Sequence, residues 1–279
     1  MTLLQCGAHK VDLTRAAIMG ILNVTPDSFS DGGAHADPVS AVARARQMME
    51  EGVSIIDVGG ESTRPGAQAV SVQEELDRVI PVVERIAKEI PVPISVDTSK
   101  PEVMRASIIA GAGLINDVYA LRAPGALEAV AAFDVPICLT HMQGEPRTMQ
   151  IEPHYTDVVA EVADFLAIRV KAAQAAGIAR CRFIIDPGFG FGKTLEHNIA
   201  LLRSLKVLGM LGLPVMAGLS RKSMIGKTLG LPIEQRLHAS VALALIAVQN
   251  GARIVRVHDV APTVQAVRMW EAIEADRRV

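Results

Sequence analysis

Short apolar segments that alternate with helical patterns constrain the fold of this chain more than any other feature. Each segment is rich in aliphatic and β-branched residues, which is typical of a strand covered on both faces. Eight such segments lie at 17–24, 53–60, 92–99, 113–120, 135–142, 182–189, 214–221 and 252–259. The spacing of the apolar residues between them predicts helices over 38–51, 71–89, 101–110, 124–132, 157–176, 195–208, 233–250 and 261–276.

Eight strand–helix units in 279 residues predict an α/β fold, a (β/α)8 TIM barrel. Because no linker or shift of composition divides the chain, we expect a single domain over 1–279, with 1–16 as a short segment before the first strand. A doubly wound parallel sheet is the alternative architecture for the same order of elements.

Composition and charge narrow the classes of function. The net charge is −2 and only 3% of the residues are aromatic, which argues against a nucleic acid or an anionic membrane as the partner. Residues 1–15 lack the apolar core of a signal peptide, and the longest apolar run, 241–248, is far too short to span a bilayer. Cys6, Cys138 and Cys181 have no metal-binding spacing, and their odd number indicates a reducing compartment. We therefore expect a cytoplasmic protein.

Polar residues occur where each predicted strand ends. In a barrel these ends meet on one face, where the loops that follow the strands build the active site. A single polar residue there could instead cap the next helix. A whole set is better explained by a site, and its members are Asn23, Asp57, Asp97, Asn116, His141, Asp186, Ser220, Arg256 and His258.

The segment IDPGFGFGKT, at 185–194, ends like a phosphate-binding P-loop. That loop requires Gly-x-x-x-x-Gly-Lys-[Ser/Thr], and Pro187 stands where the first glycine should be. Proline has no amide hydrogen to donate to a phosphate. A dinucleotide fingerprint would need glycine at the position of Lys193. We therefore interpret the segment as the loop after the sixth strand, whose glycines let the backbone pass close to a ligand.

Two long stretches resemble the signatures of the dihydropteroate synthase family, namely MGILNVTPDSFSDGG at 19–33 and IDVGGESTRPGA at 56–67. The stretches SVDTSKPEV, GLINDV, HMQGEPRTMQ, DPGFGFGKTLEHN, GLSRKSMIG and RVHDV resemble the other strand-end motifs of that family, in the same order. The resemblance runs from about residue 10 to residue 275. It implies a transferase of folate synthesis that joins 7,8-dihydropterin-6-ylmethyl diphosphate to 4-aminobenzoate, with Mg²⁺ present, and releases 7,8-dihydropteroate and diphosphate. It also implies a homodimer and a target of sulfonamides, which mimic 4-aminobenzoate.

This implied reaction gives the strand-end residues expected roles at the pterin. Carboxylates at Asp97 and Asp186 would accept hydrogen bonds from the pterin amino group and ring N–H, and Lys222 would donate to its carbonyl. The expected pterin-binding set is Asp97, Asn116, Met142, Asp186, Phe191, Gly218, Lys222 and Arg256. The expected catalytic set is Asp31, Asp97, Asp186, Lys222 and Arg256.

The other two parts of the substrates have expected partners as well. The diphosphate leaves with its electrons and needs positive charge and hydrogen-bond donors, expected from Asn23, Thr63, Arg256 and His258, with Asn23 also binding Mg²⁺. The resemblance implies that 4-aminobenzoate contacts Phe29, Thr63, Arg64, Pro65, Lys222 and Ser223, partly on loops that close over the site. In this family the C–O bond ionises before the amine attacks, so no nucleophilic serine or cysteine is required.

Two other functions are compatible with a pterin-binding barrel. A binding module, such as the methyltetrahydrofolate-binding domain of corrinoid methyltransferases, would not need the pair Arg256 and His258 or the two signature stretches. A catalytically silent relative should have lost a residue such as Asp97 or Lys222, and both are present. Helix 233–250 is apolar around most of its circumference, which indicates either a partner subunit or cover by neighbouring helices.

Overall fold

The computed structural model describes residues 3–25, 38–62, 68–145 and 148–276. The chain begins with an antiparallel hairpin of β1 (Leu3–Cys6) and β2 (His9–Asp12). Eight parallel strands follow: β3 (Ala17–Asn23), β4 (Ile55–Gly59), β5 (Ile94–Asp97), β6 (Leu114–Asp117), β7 (Ile137–Thr140), β8 (Phe183–Asp186), β9 (Met216–Ala217) and β10 (Ile254–Val257).

The eight parallel strands form a barrel. They are hydrogen-bonded in the order β8-β7-β6-β5-β4-β3-β10-β9, and a parallel bridge between Ile185 and Val215 joins the two ends of this series. The predicted (β/α)8 fold is thereby confirmed, and the doubly wound sheet is excluded.

Helices cover the outside of the barrel. They are α1 (Pro38–Glu50), α2 (Val72–Glu89), α3 (Pro101–Ile109), α4 (Ala126–Ala131), α5 (Val158–Ala175), α6 (Leu195–Arg203), α7 (Leu205–Gly209), α8 (Ser223–Leu229), α9 (Leu237–Gln249) and α10 (Val260–Asp276). A capping box starts α2, because the Ser71 hydroxyl accepts from the amide of Glu74 while the Glu74 carboxylate accepts from the amide of Ser71. None of the helices in the described ranges is long and apolar enough to cross a membrane.

The helices differ from the expectation at three places. The predicted helix 195–208 is broken at Ser204 into α6 and α7, and the predicted helix 233–250 begins with a short 3-10 turn, Ile233–Gln235, before α9. The seven-residue α8 was not predicted, because it is too short for an apolar period to be visible.

The hairpin closes the end of the barrel at which the strands begin. Leu4 and Val11 from the hairpin share one apolar cluster with the inward-facing Met19, Ile55 and other residues at the starts of the strands. A Cβ atom on Gly113 would lie only 2.6 Å from the carbonyl carbon and oxygen of Cys6, so the backbones of the hairpin and the barrel are in direct contact. With this end filled by apolar side chains, only the opposite end of the barrel is left for a polar site.

Candidate active site

Inward-facing polar side chains gather at the ends of the barrel strands. Asp57, Asp97, Asn116 and Asp186 are all at most 7% exposed, although each faces the mouth of the barrel rather than the apolar layer below. They follow the inward alternation of their strands, two residues beyond positions such as Ile55 and Ile184 in the apolar cluster. The strand-end pattern in the sequence therefore predicted correctly that these residues converge.

Arg256 is the central cation of this group. Its Nε donates to Asp57 Oδ2 at 2.6 Å, and its Nη2 donates to Asp97 Oδ2 at 2.8 Å. Asn116 Nδ2 donates to the same oxygen of Asp57 at 3.2 Å. Within the described ranges, Asp57 Oδ1 and Asn116 Oδ1 are buried and have no hydrogen-bond partner, so both remain acceptors for a donor that enters the mouth.

Two carboxyl groups at the mouth, those of Asp97 and Asp186, have raised pKa values. Burial raises the pKa of Asp97 to about 7, against the opposing effect of Arg256 and with a smaller contribution from the charge of Asp57. Burial also raises the pKa of Asp186, and the nearby Lys222 opposes that shift. A ligand that donates hydrogen bonds to these groups would favour their ionised forms.

Lys222 lies at the start of α8. Its ammonium donates to the carbonyl oxygen of Phe189 and stands 4.4 Å from the centre of the Phe191 ring. Burial lowers the pKa of Lys222 to about 8, while the charge of Asp186 acts in the opposite direction. Phe191 is half-buried, and the structure brings it to this ammonium.

Space at the mouth is created by two glycines that face inward. A Cβ on Gly59 would lie 3.7 Å from the Cβ of Asp97 and 3.8 Å from Asn23 Oδ1. A Cβ on Gly218 would lie 3.8 Å from the Cβ of Arg256. Larger residues at these two positions would fill the mouth between the polar groups.

The side of the mouth formed by β3 and β10 carries the expected diphosphate ligands. These two strands are hydrogen-bonded neighbours, as the closed barrel requires, so Asn23 and His258 belong to adjacent strand ends. His258 Nδ1 lies 3.0 Å from the Ser220 hydroxyl. Arg256 turns its guanidinium toward Asp57 and Asp97, although it follows the same inward alternation as His258.

The remaining predicted residues are distributed unevenly. Met142 follows β7 and is 1% exposed, whereas Ser223 is exposed at the first position of α8. Phe29, Asp31, Thr63, Arg64 and Pro65 lie outside the described residues.

Sequence reasoning did not assign roles to two residues that the structure makes prominent. Asp57 appeared only among the strand-end polar residues, although it is the fully buried partner of Arg256. Lys193 was considered only as part of an apparent P-loop, yet it is 2% exposed and its ammonium contacts His141 Nδ1 at 2.9 Å. The alternation of Ile55, Asp57 and Gly59 along one strand indicated that Asp57 faces the interior of the barrel. Nothing in the sequence indicated the contact of Lys193 with His141.

Comparisons with known proteins agree with this geometry. The pattern of the family described as pterin binding enzyme matches residues 19–258. A dihydropteroate synthase of Escherichia coli strain K12 is 55% identical over 262 residues, which cover 94% of this chain and 93% of that protein.

Two solved structures of Xanthomonas albilineans dihydropteroate synthase are also similar to this chain. The structure with 4-aminobenzoic acid has a TM-score of 0.94 and 55% identity and covers 98% of each chain. The structure with 7,8-dihydropteroate has a TM-score of 0.90 and 52% identity, and covers 98% of this chain and 99% of that one.

Proposed function

The chain belongs to the dihydropteroate synthase family of pterin-binding enzymes, and we propose that it is a transferase that condenses 7,8-dihydropterin-6-ylmethyl diphosphate with 4-aminobenzoate. The products are 7,8-dihydropteroate and diphosphate. The observation that carries the proposal is the group of buried acceptors at the mouth, with the guanidinium of Arg256 held between Asp57 and Asp97.

The pterin ring is recognised by hydrogen bonds along its polar edge. Its amino group and ring N–H donate to Asp97, Asp186 and the free Oδ1 of Asn116, and these bonds are strong because the carboxylates become ionised. Lys222 donates to the ring carbonyl through a second N–H of its ammonium, while another N–H donates to the carbonyl oxygen of Phe189. Gly218 leaves room for the ring, while Phe191 and Met142 contribute to its apolar surroundings.

The chemical step is the transfer of the pterin methylene group from oxygen to nitrogen. The methylene C–O bond breaks, and its electron pair leaves with the diphosphate. The positive charge that develops on the methylene is shared with the pterin ring and is favoured by the carboxylates of Asp97 and Asp186. The amine of 4-aminobenzoate then donates its lone pair to the methylene carbon and releases one proton.

The leaving diphosphate is bound on the side of β3 and β10. Arg256, His258 and Asn23 supply donors or an amide oxygen there, and Thr63 is proposed to join them. The described residues contain no group of three or more His, Cys, Asp or Glu side chains able to hold a metal ion. A single amide oxygen at Asn23 nevertheless fits Mg²⁺, since this ion takes oxygen ligands and obtains most of them from phosphates and water. When bound, Mg²⁺ would neutralise charge on the leaving diphosphate.

4-Aminobenzoate is proposed to approach from the exposed start of α8. Ser223 and Lys222 would receive its carboxylate, and Phe29, Thr63, Arg64 and Pro65 would complete the pocket. Asp31 is proposed to act near the developing cation. Support for this placement is that Lys222 and Ser223 are adjacent, one at the pterin site and one facing solvent.

A homodimer is proposed through α9 and α10. These helices pack side by side, and apolar residues on their outer surfaces remain exposed, namely Ile246, Met269 and Ile273. Large apolar residues left exposed on two neighbouring helices are consistent with an interface. Ile246→Asp together with Met269→Asp should convert the dimer to a monomer in sedimentation velocity, and an unchanged sedimentation coefficient would contradict this interface.

The activity is tested by the release of diphosphate from 7,8-dihydropterin-6-ylmethyl diphosphate with Mg²⁺, with and without 4-aminobenzoate. Release that depends on 4-aminobenzoate, with dihydropteroate identified by mass, is the expected result. Asp97→Asn should abolish most of it. Pterin binding without release would instead indicate a binding module, and no binding at all would indicate a catalytically silent relative.

A further inference from the structure

The buried ammonium of Lys193 has no role in the proposed reaction, although it is held by several polar atoms. Its Nζ donates to the carbonyl oxygens of Gly188 and Phe191, each at 2.9 Å. It also lies 2.9 Å from His141 Nδ1, which accepts from it as a neutral imidazole. Burial lowers the pKa of His141 to about 2, and Lys193 adds to this effect, so the imidazole remains an acceptor. Burial also lowers the pKa of Lys193 well below its usual value, and the charge of Asp186 opposes this shift. The three acceptors around Nζ offset part of the cost of burying its charge.

The loop that Lys193 holds, residues 187–192, is itself in contact with two proposed pterin ligands. The amide of Gly188 donates to Asp186 Oδ1 at 2.7 Å, and this fixes the rotation of the carboxylate. On the other side of the loop, the carbonyl oxygen of Phe189 accepts from Lys222. The loop therefore connects the Asp186 carboxylate to the Lys222 ammonium.

Three glycines favour this path of the loop. Gly188, Gly190 and Gly192 have φ angles of +66°, +81° and +61°, which other residues adopt at a cost. A Cβ on Gly188 would lie 1.9 Å from the carbonyl oxygen of His141, and a Cβ on Gly192 would lie 2.6 Å from that of Gln143. A six-residue loop with three glycines has many accessible conformations, so it needs contacts from outside to keep one of them. The Lys193 ammonium provides such contacts, because it donates to the carbonyl groups of Gly188 and Phe191 near the two ends of the loop.

We infer that Lys193 is a positioning residue of the pterin site: its ammonium ties the 187–192 loop to His141, so that Asp186 and Lys222 face the pterin together. This role rests on the proposed function. It also explains the resemblance of the segment to a P-loop, since glycines and a lysine are present in both, but here the lysine binds its own loop instead of a phosphate.

The test compares Lys193→Met with a matched control that lies just before β8, whereas Lys193 follows the loop after this strand. Methionine replaces the four-carbon stem of lysine with a stem of similar length and lacks the ammonium. The control is Arg182→Met, because Arg182 is also a buried cation that donates to two carbonyl oxygens, those of Val135 at 2.8 Å and Val130 at 2.9 Å. Binding of 6-hydroxymethyl-7,8-dihydropterin is measured by calorimetry, and folding by urea denaturation.

Both variants should lose stability, but only Lys193→Met should weaken pterin binding, by tenfold or more, while Arg182→Met stays within about twofold of the wild type. Equal dissociation constants for Lys193→Met and the wild type would overturn the role. If the wild-type chain itself did not bind the pterin, the proposed function would fail, and this role with it.

A second pair of variants decides the matter if Lys193→Met does not fold. His141→Asn keeps an acceptor oxygen near the place of Nδ1, whereas His141→Leu removes it. We expect His141→Leu to weaken pterin binding at least fivefold and His141→Asn to recover most of the loss. Pterin affinities equal to the wild type in both variants would show that the contact does not position the site.

Discussion

Pterin binding should weaken as the pH falls through 7, because Asp97 must be ionised to accept hydrogen bonds from the ring. In the unliganded chain, burial raises the pKa of this carboxyl to about 7, since Arg256 only partly offsets the loss of hydration and the charge of Asp57 adds to it. Below this pH the protonated carboxyl presents an O–H donor to the donors of the pterin. The affinity is therefore full above the raised pKa and is lost below it.

The expected size of the effect follows from the population of the carboxylate. Each pH unit below the pKa of Asp97 lowers the ionised fraction tenfold and costs binding about 1.4 kcal/mol. At pH 5, two units below, the dissociation constant should rise about 100-fold, which corresponds to about 2.7 kcal/mol. Binding near pH 6 should also release close to one proton per pterin, because the complex contains the ionised form.

Calorimetry with 6-hydroxymethyl-7,8-dihydropterin between pH 5 and pH 8 measures the dissociation constant at each pH. Repeating each titration in buffers of different ionisation enthalpy gives the number of protons released. Arg256→Met is the informative variant: removal of the guanidinium leaves the carboxyl of Asp97 without its opposing cation, so the loss of affinity should begin at higher pH. An affinity that stays constant from pH 8 to pH 5, with no proton released, would refute the reasoning and mean that Asp97 is already ionised in the free protein.

Two stability predictions follow from close packing and buried charge. Gly113→Ala should lower the free energy of unfolding in urea by about 1–3 kcal/mol, since its Cβ would overlap the carbonyl of Cys6, whereas Gly209→Ala, with open space around it, should not destabilise the chain. Lys100→Met should lower the free energy of unfolding by about 3–5 kcal/mol, because it leaves the fully buried carboxylate of Glu75 without its ammonium. Adding Glu75→Met to this variant should recover much of the lost stability. If the double variant were as unstable as Lys100→Met, the electrostatic explanation would be wrong.

The sequence was sufficient for the architecture because each strand carried two signals. Its apolar residues indicated cover on both faces, and its final polar residue indicated the end of the barrel at which the site lies. The elements that were missed carry weaker signals: α8 is one short helix after Lys222, and the N-terminal hairpin has only four residues in each strand. Their positions depend on contacts with distant residues, such as that of Cys6 with Gly113, which local spacing does not contain.

Within the site, the sequence indicated which residues converge but not how they pair. Arg256 was assigned to pterin and diphosphate, and both roles remain predictions. The structure adds that its guanidinium is shared by Asp57 and Asp97, from strands on the other side of β3. Such pairing depends on which inward side chains reach across the barrel, and this is set by the register of all the strands together.

Among the described residues, each charged group expected to bind the pterin thus has an internal partner. Arg256 is held by two carboxylates, Lys222 by a carbonyl oxygen and Asp186 by the amide of Gly188. Binding of a pterin would therefore rearrange hydrogen bonds that already exist, which limits the gain from any one of them. We expect much of the net preference to come from Asp57 Oδ1 and Asn116 Oδ1, two buried acceptors at the mouth that have no partner among the described residues. A ring analogue that lacks the amino donor would leave such an acceptor unpaired in a site that excludes water. Sites of this kind lose far more affinity for an analogue without a hydrogen-bond donor than for an analogue of slightly different size. The specificity of the mouth should accordingly depend on the donors of the pterin edge more than on the area of the ring.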